Sequence, residues 1–177
     1  NLQHRALLMT IYGGGLRVSE ACDLRVRDID SASMRIFVED GKRGKDRYTL
    51  LSGVNLDILR EYWRAYRPRH PEGWLFLNAD GSRSFCKRVI QNAFAQAHWE
   101  AGIQKKATVH TLRSSFATHL LEDGVDFFTV KRLLGHSDMS STTRYLGVTE
   151  FSCNLKSPLD SMPKKRGRKP KTGMTHG

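Results

Sequence analysis

Apolar residues Leu2, Leu7, Leu8, Ile11 and Tyr12 fall on one face of a helix, and three consecutive glycines, Gly13 to Gly15, end it. A second helix is predicted from near Leu16 with Ser19, Glu20 and Leu24. Arg17 lies in its first turn, where free backbone N–H groups favour an anion, although the same arginine also reads as a surface partner of Glu20 at i+3. Met34 to Glu39 and Arg47 to Leu51 are β-like runs flanking the turn-rich segment Asp40 to Asp46, which predicts a hairpin with a basic tip. Asn55 to Tyr66 reads as an amphipathic helix stopped by Pro68 and Pro71, and the apolar run Trp74 to Leu77 as a third strand before the Asn78 to Gly81 turn. Ser84 is the expected cap of a helix through about Glu100, with Phe85, Val89, Ile90, Phe94 and Ala97 inward. Trp63, Trp74 and Trp99 read as core rather than as platforms for bases.

The clearest periodicity comes next. Thr108 is an expected N-cap for a helix with Val109, Leu112, Phe116, Leu120 and Leu121 on its apolar stripe and Gly124 as its stop. Val125 to Leu134 forms another short apolar segment, beginning at Asp126 and ending at Gly135. His110 and Arg113 stand at i and i+3 on the first of these helices, so they project from neighbouring faces of one turn. His136 falls on the loop just past the second, and Tyr145 follows in a Ser/Thr-rich piece closed by Gly147. Each of these residues alone has an ordinary structural reading. Their order and spacing change that.

The segments Gly15-Leu-Arg17-Val-Ser-Glu20, Gly41-Lys42-Arg-Gly-Lys45, His110-Thr-Leu-Arg113, Leu134-Gly-His136-Ser and Tyr145 resemble the catalytic domain of the tyrosine recombinases, the lambda-integrase family of site-specific DNA recombinases and integrases. The resemblance runs over roughly residues 1 to 150. It implies an α+β fold, a mainly helical domain with a small three-stranded antiparallel sheet. It also implies a catalytic set of Arg17, Lys42, His110, Arg113, His136 and Tyr145, with Glu20 as acidic support beside Arg17. Lys45 lies on the same hairpin tip as Lys42 and stays open as an alternative general acid. Arg43, Lys45 and Arg47 near the hairpin, and Arg166 and Arg168 further on, are expected to contact DNA. Many relatives carry a His directly after the second arginine, where this chain has Ser114, so one supporting contact differs.

The chemistry suits these residue types. Attack on a phosphodiester builds charge on the non-bridging oxygens, and guanidiniums fork onto phosphate while staying charged. Histidines donate N–H groups or relay protons near neutral pH. A phenol, with a reference pKa of about 10, needs a strongly positive surrounding to act as a nucleophile. The implied product is a 3′-phosphotyrosine and a free 5′-hydroxyl, with Lys42 protonating the leaving oxygen. Because the tyrosyl ester keeps the bond energy, neither ATP nor a metal cofactor is implied, and the sequence shows no acidic cluster for metal ions. Two rival readings are a type IB topoisomerase-like nicking-closing enzyme and a non-catalytic DNA-binding remnant of an integrase.

Charge supports a polyanionic partner. Of the 177 residues, 29 are Lys or Arg against 18 acids, for a net charge of +11 and a pI near 9.9, which puts nucleic acid first and a membrane surface second. No apolar run approaches the roughly 20 residues that span a bilayer and no signal peptide is visible, so the expected setting is intracellular: cytoplasmic and nucleoid-associated in a bacterium. Cys22, Cys86 and Cys153 form no C-x-x-C pair, which points to reduced thiols. Apolar content of 39% suffices for one core. The expected division is a catalytic domain over 1–155, without the upstream DNA-clamping domain of such recombinases, and a flexible basic tail over 156–177. Within that tail Arg166-Gly-Arg168 resembles an AT-hook, with an import-like basic cluster or non-specific phosphate binding as alternatives. The resemblance further implies a homotetramer on paired DNA sites. Val148, Phe151 and Leu155 form a stripe that would dock either on a neighbouring subunit, as exchange of a C-terminal segment would have it, or back on its own core.

Overall fold

The computed structural model describes residues 1–39, 46–135 and 156–162. Helix α1 (Leu2–Gly14) opens the chain, capped by the Asn1 side chain, and is followed by α2 (Val18–Asp23) and a single 3-10 turn at Val26–Asp28. Strands β1 (Ile29–Asp30), β2 (Arg35–Val38) and β3 (Arg47–Leu50) form an antiparallel sheet in the order β1-β2-β3. Helices α3 (Gly53–Tyr66), α4 (Lys87–Glu100), α5 (Val109–Glu122), α6 (Phe127–Leu134) and the short α7 (Pro158–Ser161) complete it. The expected α+β class, mainly helical with a small three-stranded antiparallel sheet, is the one observed. No helix among the described residues is long and apolar enough to cross a membrane.

Two apolar clusters organise the packing. The larger surrounds α1, with Leu7, Ile11, Leu16, Ile36, Tyr62, Phe76 and Ile90 all essentially sealed from solvent. The smaller joins β3, α5 and α6 through Leu50, Phe116, Leu120, Val130, Leu133 and Leu134. Gly15 links the two. It caps α1 in the left-handed region (φ 60°, ψ 35°), and a Cβ there would lie 2.4 Å from Cδ1 of Phe116, so only glycine lets the end of α1 lie against α5.

Several sequence expectations need correction. The third strand is Ile29–Asp30, not Trp74 to Leu77. The Asp30 carboxylate accepts from the N–H groups of Ala32 and Ser33, which turns the chain back into β2. Leu75, Phe76 and Leu77 are buried in succession rather than alternately, so the segment enters the core and meets other backbone only through isolated bridges, Arg25 with Trp74 and Leu77 with Ser84. With Ser84 in that bridge, Cys86 takes the N-cap of α4. Trp99 is 82% exposed and Trp63 40%, while Trp74 stacks on His70 with ring centroids 4.4 Å apart. Helical twist carries Leu121 away from Leu120, leaving it exposed. The packed chain also runs past the boundary expected at residue 156: Ser157 donates its hydroxyl to the Gly13 carbonyl at 2.8 Å, Leu159 is buried beside Gly13, and Asp160 accepts from Val54 N–H. The reason is local. Ser157 and Pro158 start a helical turn that places Leu159 against α1. Val148, Phe151 and Leu155 lie outside the described residues.

Candidate active site

Glu20 is the centre of the site. Its side chain is 7% exposed, on the first turn of α2, and each carboxylate oxygen receives two hydrogen bonds. Oε1 accepts from Nη1 of Arg17 at 2.7 Å and from Nη1 of Arg47 at 2.8 Å; Oε2 accepts from the Arg17 backbone N–H at 2.6 Å and from Nη2 of Arg47 at 2.8 Å. Nη1 of Arg113 stands 3.6 Å from Oε2. One carboxylate is thus set among three guanidiniums, from the N-cap of α2, from β3 and from α5. Burial is the largest single influence on Glu20 and pushes its pKa up. The hydrogen bonds and charge of Arg47, the Arg17 N–H and the charge of Arg113 together outweigh it, and the carboxyl is held below its ordinary value.

The same three arginines close the end of α6. A helix leaves its last carbonyls without intrahelical partners, and its C-terminus carries partial negative charge, so cations belong there. Here Nε of Arg47 donates to the Leu133 carbonyl at 2.8 Å, Nη2 of Arg113 donates to that of Leu134, and Nη2 of Arg17 donates to that of Gly135 at 3.0 Å. Three successive carbonyls meet three arginines. Gly135 makes this possible twice over: it caps α6 in the left-handed region (φ 63°), and a Cβ on it would stand 2.9 Å from Cδ of Arg47. The Asp126 side chain, accepting from Thr129 N–H, starts α6 in the register that brings its end here.

Arg113 is held most tightly. It is 4% exposed and also donates to the Gly15 carbonyl at 2.7 Å, so it ties the turn after α1 to the end of α6. Burial draws its pKa down to about 10; the charge of Glu20 opposes that shift, and Arg17 and Arg47 add to it. It remains a cation at neutral pH. His110, in the first turn of α5, is exposed and one turn before Arg113. Thr108 and Thr111 cap that helix reciprocally, with Thr108 N–H donating to the Thr111 hydroxyl at 3.0 Å. Arg17 is the arginine of the cluster that reaches solvent, with 38% of its side chain exposed.

Of the residues expected in the site, the structure brings together Arg17, Glu20 and Arg113. Lys42, Arg43, Lys45, His136, Tyr145, Arg166 and Arg168 lie outside the described residues, with His136 following directly on Gly135. Arg47, expected to contact DNA, is 8% exposed, and its guanidinium faces Glu20 and Leu133. A signal for this placement was present in the pattern. Arg47 precedes the outward Tyr48 and the inward Thr49, so period-two alternation turns it toward the interior. The carbonyls of Leu133 to Gly135 carry no such signal, because backbone acceptors do not show in side-chain patterns.

The model of the phage integrase family matches residues 1–150. Among similar proteins, y4qK of Sinorhizobium fredii, described as an integrase/recombinase, is 42% identical over 165 residues, covering 93% of this chain and 53% of that protein. The tyrosine recombinase XerC of Halalkalibacterium halodurans is 38% identical over 157 residues, covering 84% and 51%. The chain therefore spans about half the length of these relatives. Among solved structures, the XerH site-specific recombinase in a pre-cleavage complex with its difH substrate superposes with a TM-score of 0.67 at 29% identity, over 77% of this chain and 40% of that one. The chain belongs to the phage integrase family of tyrosine recombinases.

Proposed function

We propose that this chain cleaves and rejoins DNA strands as a site-specific recombinase or integrase, passing through a 3′-phosphotyrosine. The observation that carries the reading is the meeting of Arg17 and Arg113, remote in sequence, at one buried carboxylate and at the helix end from which His136 follows. Two guanidiniums so held are organised before the substrate arrives, and preorganised donors are what a phosphoryl transition state rewards. Tyr145 attacks the phosphorus and Lys42, or Lys45 on the same tip, protonates the leaving 5′-oxygen. Arg17 and Arg113 bind the non-bridging oxygens, and His110 and His136 supply N–H donors. Glu20 orients the arginines. The reaction conserves bond energy in the tyrosyl ester and needs neither ATP nor a metal ion. The kinship with integrases and with the XerC and XerH recombinases supports double-stranded DNA as the substrate and favours neither the topoisomerase nor the non-catalytic reading. A homotetramer on paired sites, a catalytic domain that includes α7, and a basic tail beyond it belong to the same proposal.

A nicked suicide substrate, from which the short cleaved strand diffuses away, tests it. The chain should become covalently attached to DNA, and Tyr145→Phe should abolish attachment while leaving affinity for the same DNA unchanged. Attachment by Tyr145→Phe would rule out the assigned nucleophile.

A further inference from the structure

We propose that Arg47 is a positioning residue, a guanidinium that occupies Glu20 and holds the end of α6 so that Arg17 and Arg113 are left to meet a phosphate. The inference rests on the function proposed above. It departs from the sequence expectation that Arg47 touches DNA, because Nε, Nη1 and Nη2 of its guanidinium are already given to the Leu133 carbonyl and to Glu20. Its own geometry is that of a clamp. Nη1 and Nη2 each take a different oxygen of Glu20 at 2.8 Å, the bidentate fork that gives an arginine–carboxylate pair its direction as well as its strength. Nε reaches the Leu133 carbonyl at 2.8 Å, so one planar group fixes the distance between α2 and α6. Its backbone belongs to β3, opposite Val38, where the segment 40–45 carrying Lys42 rejoins the sheet.

Charge explains why a third guanidinium is useful when two serve the phosphate. Arg17, Arg47 and Arg113 carry +3 and Glu20 carries −1, so the cluster is left at +2. Attack on a phosphodiester monoanion by a phenolate makes the five-coordinate phosphorus group a dianion, which a +2 cluster matches. Without Arg47 the sum falls to +1. Both carboxylate oxygens would then draw Arg17 and Arg113 to themselves in competition with the phosphate. Arg47 thus acts through Glu20 and through the placement of its neighbours, touching no substrate atom.

The experiment compares the unaltered chain with Arg47→Met, Arg47→Lys and the double variant Arg47→Met/Glu20→Gln, reading thermal melting, DNA Kd with its salt slope, and single-turnover attachment to suicide DNA at saturation. Arg47→Met should attach about 100-fold more slowly, the loss typical of a misplaced catalytic group. Its Kd should stay within about 3-fold and its salt slope unchanged, since no phosphate contact is removed. Adding Glu20→Gln restores the +2 sum and should recover the part of the lost rate that comes from an uncompensated carboxylate competing for Arg17 and Arg113, an effect that a merely structural Arg47 would not produce, while the part that depends on the bond to Leu133 stays lost. Arg47→Lys keeps the charge without the fork and should melt near the unaltered chain while attaching more slowly. If Arg47→Met fails to fold, Arg47→Lys and the double variant decide. Attachment by Arg47→Lys at the unaltered rate, no recovery in the double variant, or a salt slope lowered by about one phosphate contact would each overturn the inference. Failure of the unaltered chain to attach at all would overturn the proposed function itself, whereas unaltered attachment by Arg47→Met would overturn this inference alone.

Discussion

At the scale of single residues, the site is an exchange of hydrogen bonds between three arginines, one carboxylate and four carbonyls, those of Gly15, Leu133, Leu134 and Gly135. The choice of arginine at 113 follows from geometry, since Gly15 and Leu134 carbonyls lie on different donors of the same planar group. Lysine has one ammonium and cannot hold both while facing a phosphate. Arg113→Lys should therefore reduce single-turnover cleavage by about 100-fold or more, the scale of losing a preorganised donor, and near-normal cleavage would place Arg113 outside the site. Glu20 gives a prediction about pH. Its folded pKa lies below its ordinary value near 4.5, so its stabilising contribution is fully present above that value and is lost as pH falls through the lower, folded one. Urea unfolding should show stability declining from about pH 5 downward, and Glu20→Gln should be less stable at neutral pH and flatter across that acid range. Arg17, Glu20 and Arg113 were legible in the sequence because a family motif marks them. Arg47 was legible only as a basic residue near a hairpin, since what decides its role is an inward position and a buried partner 27 residues away.

At the scale of elements, α6 was readable from its ends, with Asp126 as its cap and Gly135 as its stop. Its meaning was not, because the carbonyls that collect the arginines have no residue identity. Gly135→Ala tests that end directly. The left-handed backbone costs about 1–2 kcal/mol for a residue with a Cβ, and that Cβ would also push on Arg47. Gly124 provides the control, with φ 83° and nothing within 4 Å of an added Cβ. Both variants should melt lower, but only Gly135→Ala should also slow cleavage. Equal cleavage by the two would detach the α6 end from the chemistry. The misread third strand shows the opposite limit: Leu75, Phe76 and Leu77 have strand-like composition, yet three buried neighbours in succession describe a segment passing through a core, and a short apolar run does not distinguish the two.

At the scale of the whole molecule, α7 belongs to the packed unit. Composition shifts near residue 155, but Ser157 and Leu159 are buried against α1, so truncation should have two separate effects. Ending the chain after Met162 should leave the melting temperature unchanged, because α7 is kept. It should also lower non-specific DNA affinity and its salt slope, as the basic residues from Lys164 to Lys171 are removed. Ending it after Lys156 should in addition cost about 2–3 kcal/mol through loss of the buried Leu159. Identical melting of the two truncations would mean that α7 contributes nothing to the fold. The exposure of Trp99 belongs to this scale as well, since a tryptophan near the end of a helix is core or surface according to what the rest of the chain brings over it.

The proposed function requires that Tyr145 become joined to the 3′ end of a cleaved DNA strand. Peptide mass spectrometry of the nuclease-trimmed covalent adduct, together with end-labelling of the released strand, measures it most directly. The predicted result is one modified peptide with a 3′-phosphonucleotide on Tyr145, and a released strand whose 5′-hydroxyl accepts a label from a polynucleotide kinase without prior phosphatase treatment. A nucleotide on another residue, a 5′-linked tyrosine or a released strand bearing a 5′-phosphate would contradict it.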